Sequence, residues 1–414
     1  MEFPRIVASV ARLLRDVGRA EELAQDALVA ALEQWPRDGV PSNPGAWLTA
    51  AAKHRALDDL RRRKLLDRKH EQLKYESPAV ASADSLDAVL DEDVGDDLLR
   101  LMFTACHPVL PTDARVALTL RMLGGLTTDE IARAFLVPEP TIAQRIVRAK
   151  KALAKARVPF EVPRGADRAA RLSSVLEVLY LVFNEGYAAT AGEDLMRPTL
   201  CEEALRLGRV LAGLAPEEPE VHGLVGLMEM QASRARARVS ASGAPVLLLD
   251  QDRSLWDRLL IGRGLAALHR AERLGGARGP YALQAAIVAC HARALTPEAT
   301  DWPQIAALYG ELAAVSPSPV VELNRAVAVG MASGPRAGLD LVDALRSEPA
   351  LARYHLLSSV RGDLLFKLER FSEAREEFER AASLTRNARE RDLLLASSAK
   401  ASVKAGKRTS ENAR

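Results

Sequence analysis

Apolar residues recur along most of the chain at intervals of three or four, which is the periodicity of amphipathic α-helices. Residues 20–35 are the clearest case, with an apolar face spaced by four that contains Leu23, Ala27, Ala31 and Trp35. No convincing set of strands with alternating Val, Ile and Thr is present, and the run 245–250 fits a buried helical turn equally well. The pattern therefore predicts an all-α protein.

Three breaks in this periodicity divide the chain, at residues 36–44, 77–97 and 158–165. The second break contains seven acidic residues and no Lys or Arg, which is typical of a flexible, solvated connector. The predicted organisation is a helical domain over 1–75, an acidic linker over 76–97, a second helical domain over 98–157, a linker over 158–170, a large helical domain over 171–405 and a disordered tail over 406–414.

A second amphipathic helix is predicted over residues 47–64. Its apolar positions recur at intervals of four and consist of Leu48, Ala52, Ala56 and Leu60. Its outward side and carboxyl end are basic, with Lys53, Arg55, Arg61, Arg62, Arg63 and Lys64. Such a basic face either is merely solvated or grips phosphate groups of a nucleic acid.

Residues 126–157 have the pattern of a helix-turn-helix. Thr127 and Glu130 fit a capping box at the start of a short helix, and the residues before Glu139 make the turn into a second helix. The outward side of that helix carries Thr141, Gln144, Arg145 and Arg148, followed by Lys150, Lys151, Lys155 and Arg157. A helix of this kind is able to read base edges with its first half and hold phosphates with its basic end. The alternative is a helical hairpin that does not bind DNA.

The last segment contains a weak internal repeat of small, large and small residues. The matching positions are Ala374, Phe378 and Ala381; Ala337, Leu341 and Ala344; and Ala204, Gly208, Leu211 and Pro216. This spacing resembles the tetratricopeptide pattern of stacked helical hairpins. The stretch between the matches does not keep the period, so a degenerate helical array is predicted.

Composition and charge narrow the class of protein without identifying a partner. Hydrophobic residues make up 48% and charged residues 27%, as in ordinary globular proteins. The 57 Lys and Arg nearly balance the 55 Asp and Glu, so any basic surface has to be local. Three widely separated cysteines exclude a disulfide framework and favour a reducing, cytoplasmic compartment. No apolar run is long enough for a bilayer span, so no membrane association is expected.

The chain lacks the common motifs of enzymes and of metal or nucleotide sites, so we expect neither catalytic activity nor a cofactor. The pair formed by Cys106 and His107 supplies too few ligands for a metal and is predicted to lie in the core or at a helix end. One candidate polar site in the last segment comprises Asn184, Glu185, Asp250, Asp252, Arg253, Asp301, Asn324 and Arg325. These residues either bind one another across neighbouring helices or line a ligand pocket.

The first and third segments together resemble the two conserved regions of extracytoplasmic-function sigma factors, which direct bacterial RNA polymerase to promoters. The resemblance rests on AEELAQDAL at 20–28, PGAWLTAAAKHRALDDLRRR at 44–63, GLTTDEIA at 125–132 and PTIAQRIVRAK at 140–150. The last segment, with FNEGY, DQDRSLW, TDW and LNRAVA, resembles the extension of the subgroup that carries a tetratricopeptide-like domain.

The resemblance implies roles for individual residues. Contact with core RNA polymerase would involve Glu22, Gln25, Asp26, Leu28 and Leu32. The minus-ten element of promoter DNA would be bound by Arg37, Asp38, Asn43, Trp47, Lys53, His54, Arg55, Arg61, Arg62 and Arg63. The minus-thirty-five element would be bound by Glu139, Thr141, Gln144, Arg145, Arg148 and Lys151. The acidic linker would thread toward the catalytic cleft of the polymerase, and the helical array would act on the sigma domains in cis or bind an unknown protein or ligand.

Two other functions account for part of the sequence. A helix-turn-helix regulator that acts without polymerase leaves residues 21–63 unexplained, and DNA binding without affinity for core polymerase would favour it. A tetratricopeptide scaffold needs no DNA contact at all. Under that alternative, replacing Arg145 and Arg148 with Ala leaves promoter activity unchanged.

Overall fold

The structure is a computed structural model that describes residues 2–71, 94–240 and 243–412, with the backbone alone described at 63–71, 94–95, 166 and 407–412. The chain forms two compact units, Met1–Leu181 and Val182–Arg414. The predicted all-α class is confirmed. Within the described residues, β-structure is limited to a two-residue parallel pairing of β1 (Ala191–Gly192) with β2 (Arg386–Asn387) and a bridge between Val239 and Pro245. The run 245–250 thus contributes a bridge and a 3-10 turn (Leu248–Asp250).

The first unit begins with three helices that pack together. They are α1 (Glu2–Leu14), α2 (Val17–Asp38) and α3 (Pro44–Glu71). The inward positions predicted for α2 are buried except for Trp35, which is half-buried, and those predicted for α3 are buried except for Leu60, which is also half-buried. Asp16 caps α2 by accepting a 3.0 Å hydrogen bond from the backbone N–H of Arg19. Gly39, with φ of +84°, ends the helix in a conformation that disfavours a side chain.

Four helices follow in the first unit. They are α4 (Val94–Ala105), α5 (Thr112–Met122), α6 (Thr128–Phe135) and α7 (Glu139–Lys155). The helix-turn-helix prediction is confirmed, with α6 and α7 as its two helices. Thr127 and Glu130 also form both bonds of the predicted capping box. Leu136 adopts a left-handed conformation with φ of +51° between the two helices. Ile142 and Ile146 are buried on α7, which fixes the rotation of that helix about its axis.

Helix α8 (Gly165–Tyr187) crosses from the first unit into the second. Its residues up to Leu181 belong to the first unit, where Arg115 of α5 bonds the hydroxyl of Ser174 at 2.5 Å and the carboxylate of Glu177 at 2.8 Å. The second unit therefore begins at Val182, eleven residues beyond the predicted start of the large domain at 171.

Other segment boundaries also differ from the prediction. Residues 94–97 belong to α4 instead of the acidic linker, and Asp97 is buried, with ion pairs to Arg12 at 3.3 Å and Arg100 at 2.7 Å. Residues 76–93 of the linker lie outside the described residues. The predicted linker 158–170 becomes helical at Gly165, and the tail predicted to be disordered is helical up to Asn412.

The second unit is a succession of helices in which sequence neighbours mostly pack as hairpins. They are α9 (Pro198–Leu214), α10 (Pro219–Ala232), α11 (Arg258–Arg273), α12 (Pro280–Arg293), α13 (Trp302–Val315), α14 (Pro319–Ser333), α15 (Pro335–Ala344), α16 (His355–Lys367), α17 (Phe371–Leu384) and α18 (Ala388–Asn412). The helical array predicted for this segment is confirmed. No helix of the described residues is long and apolar enough to cross a membrane.

The predicted repeat register is correct on two helices and wrong on a third. The repeat residues of α17 and α9 are buried, namely Ala374, Phe378 and Ala381, and Ala204, Gly208 and Leu211. On α15, Ala344 is exposed, and the buried residues are Gly338, Leu339 and Val342. The shift by one residue has a packing cause: a Cβ on Gly338 would lie 2.8 Å from the carbonyl oxygen of Ala326, so only glycine permits this approach of α15 to α14.

Candidate polymerase and nucleic-acid interfaces

Helix α2 presents apolar side chains on its solvent face. The exposed fractions are 36% for Leu28, 53% for Val29 and 76% for Leu32. Glu22 and Asp26 are also exposed, while Gln25 is half-buried and donates a hydrogen bond to Glu21. We call Leu28, Val29 and Leu32 the α2 strip. Leu28, next to the buried Ala27, lies at the edge of the solvent face. Contiguous exposed apolar side chains flanked by charge are typical of a surface that binds another protein.

The residues assigned to the minus-ten element lie at the end of α2, in the following loop and along α3. Six of them are exposed, namely Arg37, Asp38, Asn43, His54, Arg61 and Arg62, and three are half-buried, namely Trp47, Lys53 and Arg55. The side chain of Arg63 lies outside the described residues. Asn43 accepts a 3.1 Å hydrogen bond from the backbone N–H of Ala46 and so caps the start of α3.

Two tryptophans pack together where the loop between α2 and α3 begins and ends. The rings of Trp35 and Trp47 meet edge to face, with centroids 5.5 Å apart, and tie the end of α2 to the first turn of α3. The loop between them is therefore fixed at both ends, which restricts the positions of its exposed polar side chains.

The outer side of α7 carries the residues assigned to the minus-thirty-five element. Glu139, Thr141, Gln144, Arg148 and Lys151 are exposed. Arg145 is half-buried, and its Nε lies 2.9 Å from Oδ2 of Asp113 on α5. Several of these side chains line a groove of about 430 Å³ between α5 and α7.

Glu21 joins the first three helices to the helix-turn-helix, a role that the sequence reasoning missed. Its residue is 3% exposed, and its carboxylate pairs with Nε of Arg121 at 2.8 Å and with the ammonium of Lys150. Arg121 also donates to the carbonyl oxygen of Leu126 at 3.1 Å. Lys150 was predicted to face outward, but it is turned toward α2. The one sequence signal was a glutamate beside Ala20 and Ala24 on the apolar face of α2.

Cys106 and His107 have the structural roles predicted for them. Cys106 is buried and its Sγ lies 3.2 Å from Oγ1 of Thr119, while Nδ1 of His107 accepts a 3.1 Å hydrogen bond from the backbone N–H of Val109. Burial lowers the pKa of His107 to about 4, which keeps the ring neutral and able to accept this bond. The part of the chain that the structure describes contains no cluster of three potential metal ligands.

The eight polar residues proposed for the second unit do not form one site. Four of them make local contacts: Glu185 pairs with Arg197, Asp252 caps the 3-10 turn that follows it, Asp301 caps α13, and Arg325 pairs with Glu322 at 2.8 Å. Asp250 and Asn324 are exposed.

Arg253 alone among the eight is buried. It donates to the carbonyl oxygens of His291 and Ala294 at 2.9 and 2.6 Å and stacks over Trp256. These contacts fasten the 3-10 turn (Arg253–Leu255) to the end of α12, which is a structural role.

Comparison with known families finds matches to three segments of the chain. Residues 2–65 match the family Sigma-70 region 2, and residues 100–153 match Sigma-70, region 4. Residues 171–272 match a family of unknown function (DUF6596). No solved structure matches the chain significantly.

Relatives match either nearly the whole chain or about a third of it. An uncharacterized protein of Rhizobium meliloti (strain 1021) is 45% identical over 94% of this chain and 91% of that protein. The ECF RNA polymerase sigma factor SigK of Mycobacterium ulcerans (strain Agy99) is 30% identical over 36% of this chain and 78% of its own length. The ECF RNA polymerase sigma factor SigC of Mycobacterium tuberculosis (strain CDC 1551 / Oshkosh) is 31% identical over 34% of this chain and 71% of its own length.

Proposed function

The chain belongs to the extracytoplasmic-function sigma factors, and from this premise we propose that it binds core RNA polymerase, recognises promoter elements and initiates transcription under the control of its own C-terminal helical unit. The family consists of transcription factors, so we expect no catalytic activity of its own and action in the cytoplasm. The observation that carries the proposal is the exposure of the two assigned surfaces, the α2 strip and the outer side of α7, on helices whose opposite faces are buried.

Polymerase binding is assigned to α2. Burying the α2 strip against another protein removes apolar surface from water, and the neighbouring carboxylates of Glu22 and Asp26 suit a basic partner surface. Neither carboxylate is needed to bury the core of the unit. Asp26 is therefore available to a partner, whereas Glu22 would first have to leave its surface ion pair with Arg19, 2.8 Å away.

Promoter recognition is assigned to two separate surfaces. Arg61 and Arg62, exposed in the second half of α3, would neutralise phosphates near the minus-ten element, while the loop between α2 and α3 would accept unpaired bases. The first half of α7 would enter the major groove at the minus-thirty-five element, with Thr141, Gln144 and Arg148 toward the base edges.

The contact of Glu21 with Lys150 holds α2 beside α7, whereas the two promoter elements lie far apart along the DNA. Elements centred at minus ten and minus thirty-five are about 25 base pairs apart, which is about 85 Å along B-form DNA. We therefore assign the closed arrangement to the free protein and expect polymerase to hold the two regions apart.

The C-terminal unit is proposed as the control element. Helix α8, where the match to the family of unknown function begins, is anchored in the first unit by Arg115, Ser174 and Glu177, and Arg171 donates to the carbonyl oxygen of Phe103 at 3.0 Å. The extension thus starts from the sigma part of the chain and not from a free linker.

Run-off transcription with purified core polymerase tests the proposal. Templates carrying the DNA upstream of the gene and its neighbours would be transcribed with the full chain and with a chain that ends at Leu181. A chain that ends at Leu181 keeps the part of α8 that bonds to Arg115, whereas a chain that ends near Arg157 lacks α8 altogether. We expect specific transcripts from the full chain and altered output from the shorter one. Equal output and promoter choice would exclude control by the C-terminal unit, and the absence of both transcripts and polymerase binding would exclude a sigma factor.

Replacing Arg148 with Ala should weaken transcription from promoters that depend on the minus-thirty-five element. Arg148 is exposed on α7, so the change leaves the fold intact, and the loss of one base contact costs about 1–3 kcal/mol. Open-complex formation measured on such a promoter would fall about tenfold. Ser173→Ala, at an exposed position on α8, is the control, and an equal effect of the two changes would contradict the assignment of Arg148.

A further inference from the structure

The ion pair between Arg145 and Asp113 is the feature of the α7 surface that the proposed function leaves unexplained. The two side chains come from different helices, and Nε of Arg145 lies 2.9 Å from Oδ2 of Asp113. The Arg145 side chain is 26% exposed and that of Asp113 is 56% exposed, so the pair lies at the rim of the groove between α5 and α7. An exposed ion pair adds little to stability, which points to another reason for this geometry.

The contact orients the guanidinium group of Arg145. Burial of Ile142 and Ile146 sets the rotation of α7, and Asp113 then takes the Nε side of the planar group. The opposite edge, with Nη1 and Nη2, presents two parallel N–H donors. That arrangement matches the O6 and N7 acceptors of guanine in the major groove, and it also fits two phosphate oxygens.

The helix end that carries Asp113 is itself held in place. Asp113 lies in the first turn of α5, where a carboxylate is favoured by the helix dipole. Arg115 donates to Oγ1 of Thr112 at 2.8 Å and to Ser174 of α8 at 2.5 Å, so the first turn is tied to a neighbouring helix. Asp113 is therefore a fixed support and not a mobile surface group.

We propose that Asp113 is a positioning residue that orients Arg145 to read a guanine in the minus-thirty-five element. The inference deepens the proposed function and rests on it. A phosphate contact is the other reading of the same geometry. The two are separable because a base contact acts at one position of the promoter, whereas a phosphate contact affects all sequences equally.

The test measures base preference with the holoenzyme formed by core polymerase and the full chain. Promoters carrying every single substitution in the minus-thirty-five element would be compared for Arg145→Ala, Asp113→Ala and the unchanged chain, at two salt concentrations. We expect Arg145→Ala to lower the preference for guanine at one position of the element about tenfold. Asp113→Ala should lower the preference at that same position without weakening binding to the other sequences, because it removes an orienting contact and no donor.

Asp129→Ala is the matched control. Asp129 is 54% exposed and pairs with Arg133 at 3.1 Å on α6. The variant therefore loses a similar surface ion pair that lies away from α7. The double variant should show no further loss at the position already affected by Arg145→Ala. Circular dichroism of each variant confirms that the fold is retained.

Two results would overturn the inference. The first is an unchanged base preference in Asp113→Ala. The second is that Arg145→Ala weakens binding to all sequences equally and lowers the slope of log affinity against log salt concentration by about one. That result would assign Arg145 to a phosphate contact. Failure of the proposed function is a different result, because the unchanged chain would then show no dependence on the minus-thirty-five element at all.

Discussion

A Leu32→Asp variant is expected to lose most of its affinity for core RNA polymerase. Leu32 is 76% exposed, so an aspartate there costs the fold little. In a complex, the same change would place a charge in the apolar centre of the interface. Central apolar residues of interfaces contribute about 2 kcal/mol or more, which corresponds to at least about a thirtyfold weaker binding.

Competition for core polymerase between labelled and unlabelled full chains measures this loss. Leu395→Asp is the matched control, because Leu395 is a 49% exposed leucine on α18 in the second unit. Both variants should retain the helical circular dichroism of the unchanged chain. Unaltered affinity of Leu32→Asp would remove α2 from the polymerase interface.

A Glu21→Ala variant is expected to open the closed arrangement of the first unit. The Glu21 side chain is 4% exposed, and its removal leaves the 19% exposed Arg121 and the 18% exposed Lys150 without their shared carboxylate. Removal of one partner from a buried ion pair is strongly destabilising, and the partial exposure of the two cations reduces the cost here to about 2–3 kcal/mol. The population of open molecules should rise by roughly 30-fold to 160-fold.

Spin labels at His54 and Lys151, both exposed, would report the distance between α3 and α7 in the free protein. The distance distribution of Glu21→Ala should shift to longer values, and affinity for core polymerase should rise, because opening no longer opposes binding. Glu22→Ala is the neighbouring control: Glu22 is 58% exposed and pairs with Arg19 on the surface, so its loss should change the distance little. Identical distributions for the two variants would show that Glu21 does not hold the regions together.

Together these expectations suggest an order of events for transcription initiation. The α2 strip stays accessible in the closed protein, so polymerase can bind first and then compete with the contacts of Glu21. Release of Lys150 would return its charge to the basic end of α7, beside the DNA. Under the proposed function, the contacts of Glu21 would therefore couple polymerase binding to promoter reading.

The sequence alone determined the helices, their buried faces and the helix-turn-helix. These depend on contacts between residues three or four apart, as in the capping box of Thr127 and Glu130, and local spacing is visible in a linear chain. The same reasoning placed Thr141, Gln144 and Arg148 of α7 correctly, because a helix with Ile142 and Ile146 inward leaves the intervening positions outward. Resemblance to a family then supplied the functional roles.

Only the tertiary structure decided what the outward and charged residues meet. Lys150 pairs with Glu21, which lies 129 positions away in the sequence. Arg145 pairs with Asp113 on another helix, and the hydrogen bonds of Arg115 hold the first part of α8 in the first unit. The buried residues of α15 moved by one position because Gly338 has to lie against α14. Each of these outcomes depends on how one helix packs on another, and periodicity within a helix carries no information about its partner.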